Sequence, residues 1–233
     1  MQLVILAAGE GKRMYPITKD IPKPMVPLLG KPKLKYTLSN LPGIIDEVIL
    51  VVNYLEKQIR DFFGDEYTGR KITYVRQEKL DGTGGAIHAC KDFLEGRFLV
   101  MMGDDIYAPE DVVKMVQYDL AILVYETKKV GRFGRVMENE DENFVGIFEN
   151  RNFSLEDNNG EKVLVNAAMY SLNQEFFKHE LVAVSDSEFG LPQTLAKMAN
   201  KYEIKVVKTE KWFPMGKASD VQVAEEKLKE IMF

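Results

Sequence analysis

Short apolar runs recur through the first half of the chain, each ending at glycine or polar residues. Residues 2–7, 47–52, 71–76, 98–102 and 120–126 are such runs, rich in valine, isoleucine and leucine. They predict buried strands. Helical spacing fills the intervals. After the second run, Asn53 and Glu56 have the spacing of a capping box, with Leu55, Ile59, Phe62 and Phe63 on one face and Gly64 as a stop. Ile87, Cys90 and Leu94 mark a helix before the fourth run, and Pro109, Glu110 and Asp111 open another after it. This alternation over about residues 1–118 predicts an α/β fold, a parallel sheet with helices on both faces. From about 119 to 233 the pattern changes. Residues 133–150 and 162–171 read as antiparallel strands joined by a polar turn at 156–160. A helix near 191–199, a strand at 203–207 and a C-terminal helix complete the chain. That helix has Ser219 and Gln222 as a capping box and Val221, Ala224, Leu228 and Ile231 as its apolar face. No internal repeat or linker-like tract divides the 233 residues, so one domain with two halves is expected.

Composition narrows the chemistry. The single cysteine, Cys90, and the two histidines, His88 and His179, exclude an intramolecular disulfide and any Cys- or His-cluster metal centre. No apolar run approaches the roughly 20 residues of a bilayer span, and no basic segment precedes the first strand as in a secretory signal. The expected setting is the cytoplasm, without membrane association. The net charge of −5 argues against a nucleic-acid partner. The charge is unevenly distributed, however. Residues 8–35 hold seven basic side chains (Lys12, Arg13, Lys19, Lys23, Lys31, Lys33, Lys35) against Glu10 and Asp20, a local +5 that leaves −10 elsewhere.

The basic segment begins with a glycine loop, Ala7-Ala8-Gly9-Glu10-Gly11-Lys12-Arg13-Met14. Met14 stands where a dinucleotide fingerprint needs its third glycine, and the chain has no Gly-Lys-Ser/Thr string for a P-loop. What remains is a strand ending in small residues that let a phosphate approach backbone N–H groups, with Arg13 able to fork two phosphate oxygens. Lys23 follows between Pro22 and Pro24, which fix the loop around one ammonium. Further on, Gln77 can pair with a base edge, Gly82 allows close approach, and Thr83 enters a helix whose N-terminus favours anions. Asp104 and Asp105 follow the fourth strand, where α/β folds bind ligands and where paired acids suit Mg²⁺.

The pattern Leu6-Ala7-Ala8-Gly9-x-Gly11-x-Arg13-Met14-x-Pro16-x-Thr18, then Pro22-Lys23-Pro24-Met25-x-Pro27 and Lys31-Pro32, resembles the sugar-1-phosphate nucleotidylyltransferases. The resemblance implies a Rossmann-like, mostly parallel sheet with an antiparallel sugar-side elaboration. It implies an NTP and a sugar 1-phosphate as substrates and Mg²⁺ as cofactor, and it is compatible with a homo-oligomer. Leu6, Ala7, Ala8, Gly9, Gly11, Gln77, Gly82 and Thr83 would then bind the nucleotide. Arg13 and Lys23 would act on its phosphates, and Asp104 would hold the metal. Gly134, Glu149, Arg151 and Asn166 would serve the sugar phosphate, with Asn166-Ala167-Ala168-Met169-Tyr170 similar to the family's N-A-G-[IL]-Y. Two departures stand out. Asn150 replaces the family's sugar-phosphate lysine, and Pro214 replaces the second metal aspartate of W-x-D-[IV]-G. These motivate a non-catalytic binder as the alternative, alongside a cytidylyltransferase acting on a phosphorylated alcohol such as phosphocholine and, more remotely, a metal-dependent glycosyltransferase.

Overall fold

A computed structural model describes residues 1–128, 131, 133–148 and 161–232. In chain order the strands are β1 (Gln2–Leu6), the small hairpin β2 (Pro27–Leu28) and β3 (Lys31–Pro32), β4 (Glu47–Val52), β5 (Glu66–Tyr67), β6 (Arg70–Arg76), β7 (Arg97–Met102), β8 (Asp105–Tyr107) and β9 (Ala121–Thr127). They continue with β10 (Arg135–Glu138), β11 (Phe144–Phe148), β12 (Val163–Asn173), β13 (Val182–Ala183), β14 (Phe189–Gly190), β15 (Lys205–Thr209) and β16 (Trp212–Pro214). The helices are α1 (Lys33–Ser39), α2 (Glu56–Phe63), α3 (Gly82–Ala89), α4 (Pro109–Met115), α5 (Leu191–Met198) and α6 (Asp220–Met232).

β1 lies between β4 and β7, all parallel, and β6 continues the parallel set beyond β4. β1 is apolar at every position from Leu3 to Leu6 because both of its faces are covered. Leu3 and Ile5 pack with residues of α1, α2 and α4, whereas Val4 and Leu6 pack with those of α3 and α5. The sheet then turns antiparallel. β12 pairs with β7 through its C-terminal half and with β9 along its length, and β15 joins β9 in parallel. The register of β12 against β9 shifts between Asn166 and Tyr170, a bulge whose middle residue, Ala168, has φ 54°.

Four sequence expectations change. Residues 133–150 do not form one strand: β10 and β11 make a hairpin, and β10 meets β12 at Arg135 and Val165. The 156–160 turn lies outside the described residues. The Asn53 capping box does not form, because Asn53 Nδ2 donates to the Gln77 carbonyl at 2.7 Å and Leu55 takes the cap position with φ 50°. Phe62 also turns outward, which leaves Ile59 and Phe63 as the buried face of α2. At the start of α6 the turn is tied by Asp220, whose Oδ2 accepts from the N–H groups of Gly216 and Lys217 at 2.8 Å each, rather than by Ser219 and Gln222.

The apolar face of α6 does what its spacing predicts. Ala224, Leu228 and Ile231 bury against Met14, Val26, Leu28 and Tyr36, so the C-terminal helix clamps the basic segment to the sheet. Glu225 Oε1 adds a hydrogen bond from Leu29 N at 2.7 Å.

Candidate active site

The loop after β1 is fixed at both ends. Met14 is buried, and Thr18, also buried, donates Oγ1 to the Gly11 carbonyl at 2.8 Å. Gly11 has φ 67°, and a Cβ there would come within 3.2 Å of Lys23 Cβ, so the glycine lets the loop fold over the lysine segment. Arg13 projects from this turn, exposed, and has no ion pair among the described residues. Lys23 Nζ contacts Asp104 Oδ2 directly, both side chains being partly buried.

Asp104 reaches the lysine because β1 and β7 end together. Gly103 N donates to the Leu6 carbonyl at 2.9 Å, and a Cβ on Gly103 would lie 2.8 Å from that oxygen. Only glycine permits this approach. Asp105, next in the chain, turns inward and is 6% exposed. Its Oδ2 accepts from Trp212 Nε1 at 3.1 Å, and Pro214 faces it across the β8–β16 pair. Burial, then the like charge of Asp104, pushes the Asp105 carboxyl up to about 7, against the opposing pull of Lys33 and the Trp212 hydrogen bond. Lys33 is enclosed beneath Gly103, and Nζ donates to the Gly103 carbonyl at 3.2 Å. Burial brings its ammonium down to about 8, against the attraction of Asp105 and Asp104.

Two cavities meet at these groups. One, of about 520 Å³, lies under the β1 loop and is lined by Leu6, Ala8, Gly9, Gly11 and Gln77. The other, of about 470 Å³, is lined by Lys23, Asp104, Asp105, Gly134, Asn166 and Trp212 among others. Arg13, Gly82, Thr83, Met102 and Glu188 line both, so the cleft is continuous. Among the expected nucleotide residues only Ala7 lines neither; it faces the core on the other side of the sheet. Glu149 and Arg151 lie outside the described residues.

Two expected roles are revised by local geometry. The Gln77 side chain is buried, and Nε2 donates to Asp81 Oδ1 at 2.9 Å and to the Gly82 carbonyl at 3.0 Å. It braces the start of α3, with Oε1 as its remaining polar atom. At Gly82, φ is 90° and a Cβ would lie 2.4 Å from the Phe189 carbonyl oxygen. A close approach that requires glycine is made here by the β14 backbone. The β13–β14 segment was not singled out from sequence, although Glu188, Phe189 and Gly190 wall the second cavity. Its one sequence signal is Gly190-Leu191-Pro192 opening α5, with proline in the first turn.

The donor set admits a divalent cation in one manner. No group of three Asp, Glu, His or Cys side chains converges among the described residues. Pro214 offers no side-chain ligand, and Asp105 is engaged by Trp212. Asp104 keeps Oδ1, which fits a Mg²⁺ that takes one carboxylate and completes its shell with water and substrate phosphate.

Comparison with known proteins bears on the whole chain. The nucleotidyl transferase family model matches residues 2–230. The bifunctional protein GlmU of Methanocaldococcus jannaschii is 30% identical over 224 residues, 95% of this chain and 52% of that protein. The chain thus spans about half the length of the GlmU relatives it matches. The D-glycero-alpha-D-manno-heptose 1-phosphate guanylyltransferase of Campylobacter jejuni is 33% identical over 179 residues, 76% of this chain and 78% of that one. A UDP-glucose pyrophosphorylase crystallised with UDP-glucose shares the fold, with TM-score 0.80 at 20% identity over 98% of each chain. HddC from Yersinia pseudotuberculosis superimposes with TM-score 0.74 at 26% identity, covering 97% of this chain and 99% of that one. No helix among the described residues is long and apolar enough to cross a membrane. The Rossmann-like α/β fold and the motifs across residues 6–32 agree with a family match that runs nearly end to end: the chain belongs to the nucleotidyl transferase family.

Proposed function

We propose that this chain transfers a nucleotidyl group from an NTP to a sugar 1-phosphate, giving an NDP-sugar and pyrophosphate. The observation that carries this reading is the continuous cleft, with the Lys23–Asp104 pair in one lobe and Arg13 at the junction of both. The lobe under the β1 loop takes the nucleotide, and the lobe bounded by Gly134 and Asn166 takes the sugar phosphate. An oxygen of the sugar phosphate attacks the α-phosphorus in line. The bond from that phosphorus to the β-phosphate oxygen breaks, and pyrophosphate carries away the electron pair. No side-chain nucleophile is required, so catalysis is positioning and charge neutralisation. Arg13, exposed and without an ion partner among the described residues, forks the β,γ-phosphates. Lys23 releases Asp104 and turns to the oxygens that gain charge as pyrophosphate leaves. Asp104, together with the nucleotide's phosphates, would hold Mg²⁺, which would supply further neutralising charge at the phosphates. The guanylyltransferase relative, 33% identical over 179 residues, supports this reaction type.

Pyrophosphate release from each NTP with a panel of sugar 1-phosphates and Mg²⁺ tests the proposal. Turnover with at least one pair is expected. A cooperatively folded protein that gains thermal stability with an NTP, yet releases no pyrophosphate across the panel, would support a non-catalytic binder instead.

A further inference from the structure

Four carboxylates line the cleft among the described residues: Glu10, Asp104, Asp105 and Glu188. Three of them are engaged. Glu10 Oε2 pairs with Lys12 Nζ at 2.8 Å, Asp104 contacts Lys23, and Asp105 accepts from Trp212 Nε1 at 3.1 Å. The Glu188 side chain is exposed and makes no hydrogen bond or ion pair among the described residues. It lines both lobes, at the junction that Arg13 also occupies. The backbone around it is nevertheless tied on both sides. The Glu188 carbonyl accepts from Val184 N at 2.8 Å, Phe189 N donates to the Asp81 carbonyl at 2.7 Å, and Leu191 N donates to Thr83 Oγ1 at 3.0 Å. A fixed turn thus holds a bare carboxylate at the meeting point of two lobes that receive phosphates.

A carboxylate in that place repels the phosphates of both substrates, so it opposes binding unless the ligand brings donors to it. An ionised carboxylate only accepts hydrogen bonds. Phosphate groups bring more acceptors, whereas the hydroxyls of a sugar ring bring donors. Two adjacent ring hydroxyls span the two oxygens of one carboxylate, and bonds to a charged acceptor are the stronger kind. Both substrates carry such hydroxyls past this point. The ribose of an NTP must cross the junction if its base lies under the β1 loop and its α-phosphorus lies near Lys23. The ring of a sugar 1-phosphate begins on the other side of the same junction.

We propose that Glu188 is the hydroxyl acceptor of the cleft. Its carboxylate takes hydrogen bonds from two adjacent hydroxyls of a sugar ring, the ribose of the NTP or the ring of the sugar 1-phosphate, and so selects ligands that carry this diol. A site built around such hydroxyls rejects an analogue that lacks one, because the carboxylate is then left facing phosphate without compensation. The inference rests on the reading of the cleft as a site for an NTP and a sugar 1-phosphate.

Equilibrium binding is the test, so that no turnover is needed. Each NTP, its 2′-deoxy form, and the 1-phosphates of glucose, mannose and N-acetylglucosamine are titrated calorimetrically onto wild-type protein and Glu188→Ala. The sugar phosphates are added over a bound α,β-methylene NTP, which blocks transfer. If the ribose supplies the diol, Glu188→Ala weakens NTP binding by about tenfold or more and erases the preference for an NTP over its 2′-deoxy form. If the transferred sugar supplies it, the loss falls on the sugar 1-phosphate alone. A bystander acid has the opposite sign: deleting its charge leaves both anionic ligands bound as before or tighter. That result overturns the proposal. So does weaker NTP binding with the preference for ribose unchanged, which would put Glu188 on the base. The melt of Glu188→Ala should match wild type, since the side chain has no partner to lose among the described residues. If it is lower, Glu188→Gln, which keeps the size and drops the charge, carries the same test. Wild-type protein that binds no NTP sinks the cleft reading and this inference together, whereas a binding wild type with an indifferent Glu188→Ala sinks this inference alone.

Discussion

The two lobes of the cleft are made from different materials. Under the β1 loop the part of the wall that the loop itself supplies is backbone and small side chains, Ala8, Gly9 and Gly11, fixed by the buried Met14 and Thr18. At the other lobe the walls are charged and aromatic groups that bind one another: Lys23 to Asp104, Asp105 to Trp212, Asn166 to Tyr170. The first lobe offers a preformed backbone surface to a ligand. The second must exchange internal partners for substrate, so its side chains contribute to stability and to chemistry together.

Substitutions in the two lobes should therefore fail differently. Lys23→Met removes the cation that contacts Asp104 and is expected to lower kcat by about 10²–10³, the usual cost of deleting a transition-state donor. Its melting temperature should also shift, because Asp104 loses its partner. Arg13→Ala should raise KM for the NTP and leave the melt unchanged, since Arg13 is exposed and has no ion pair among the described residues. Pyrophosphate release and thermal melts on both variants check this. Equal melting shifts in the two would erase the distinction between the lobes.

The same contrast explains what could be read from the sequence. Strands β1, β4 and β7 were legible because burial on both faces leaves uninterrupted apolar runs. The glycine loop was legible because close backbone approach admits few residue types, and a spacing of such residues is visible without a structure. Lys33 was not. In sequence it is one of seven basic residues in a short segment, and nothing local shows that α1 turns it under Gly103. Asn53 looked like a helix cap because its spacing to Glu56 is right, but a tertiary bond to Gln77 takes its amide. The 133–150 stretch read as one strand because turn residues Glu138–Asn143 are polar without glycine or proline, and the hairpin is closed instead by Asn139 Oδ1, which accepts from Asp141 N and Asn143 N. At Gly82 the sequence does not show the tertiary demand for glycine, because the neighbour that imposes it is Phe189, more than 100 residues away in the chain.

That long-range contact yields a prediction of intermediate size. Gly82→Ala would set a methyl group 2.4 Å from the Phe189 carbonyl oxygen at φ 90°. The clash and the left-handed backbone together should cost about 2–3 kcal/mol of stability, read from the denaturant midpoint. The second lobe should suffer with it, because Phe189 N donates to the Asp81 carbonyl at 2.7 Å and holds the β14 wall against α3. An unchanged midpoint would mean that this wall yields freely, and that the lobe is not a fixed surface.

The smallest effect is expected where the second lobe stores strain. Ala168 lies at the bulge of β12 with φ 54°, a conformation that costs a residue with a Cβ about 1–2 kcal/mol. Neighbouring polar groups impose it. Asn166 Oδ1 accepts from Ala168 N at 2.8 Å, and Tyr107 Oη donates to the Ala168 carbonyl at 3.2 Å. Ala168→Gly removes the steric cost but gives the unfolded chain more freedom, so the net gain should be about 0.5–1 kcal/mol. Ala167→Gly next to it has no left-handed backbone to relieve and deletes a fully buried methyl group, so it should destabilise. Opposite signs at two adjacent alanines, measured by denaturant titration, would assign the strain to Ala168 itself. If both destabilise, the bulge is unstrained, and the side-chain bonds of Asn166 and Tyr107 follow the backbone there instead of dictating it.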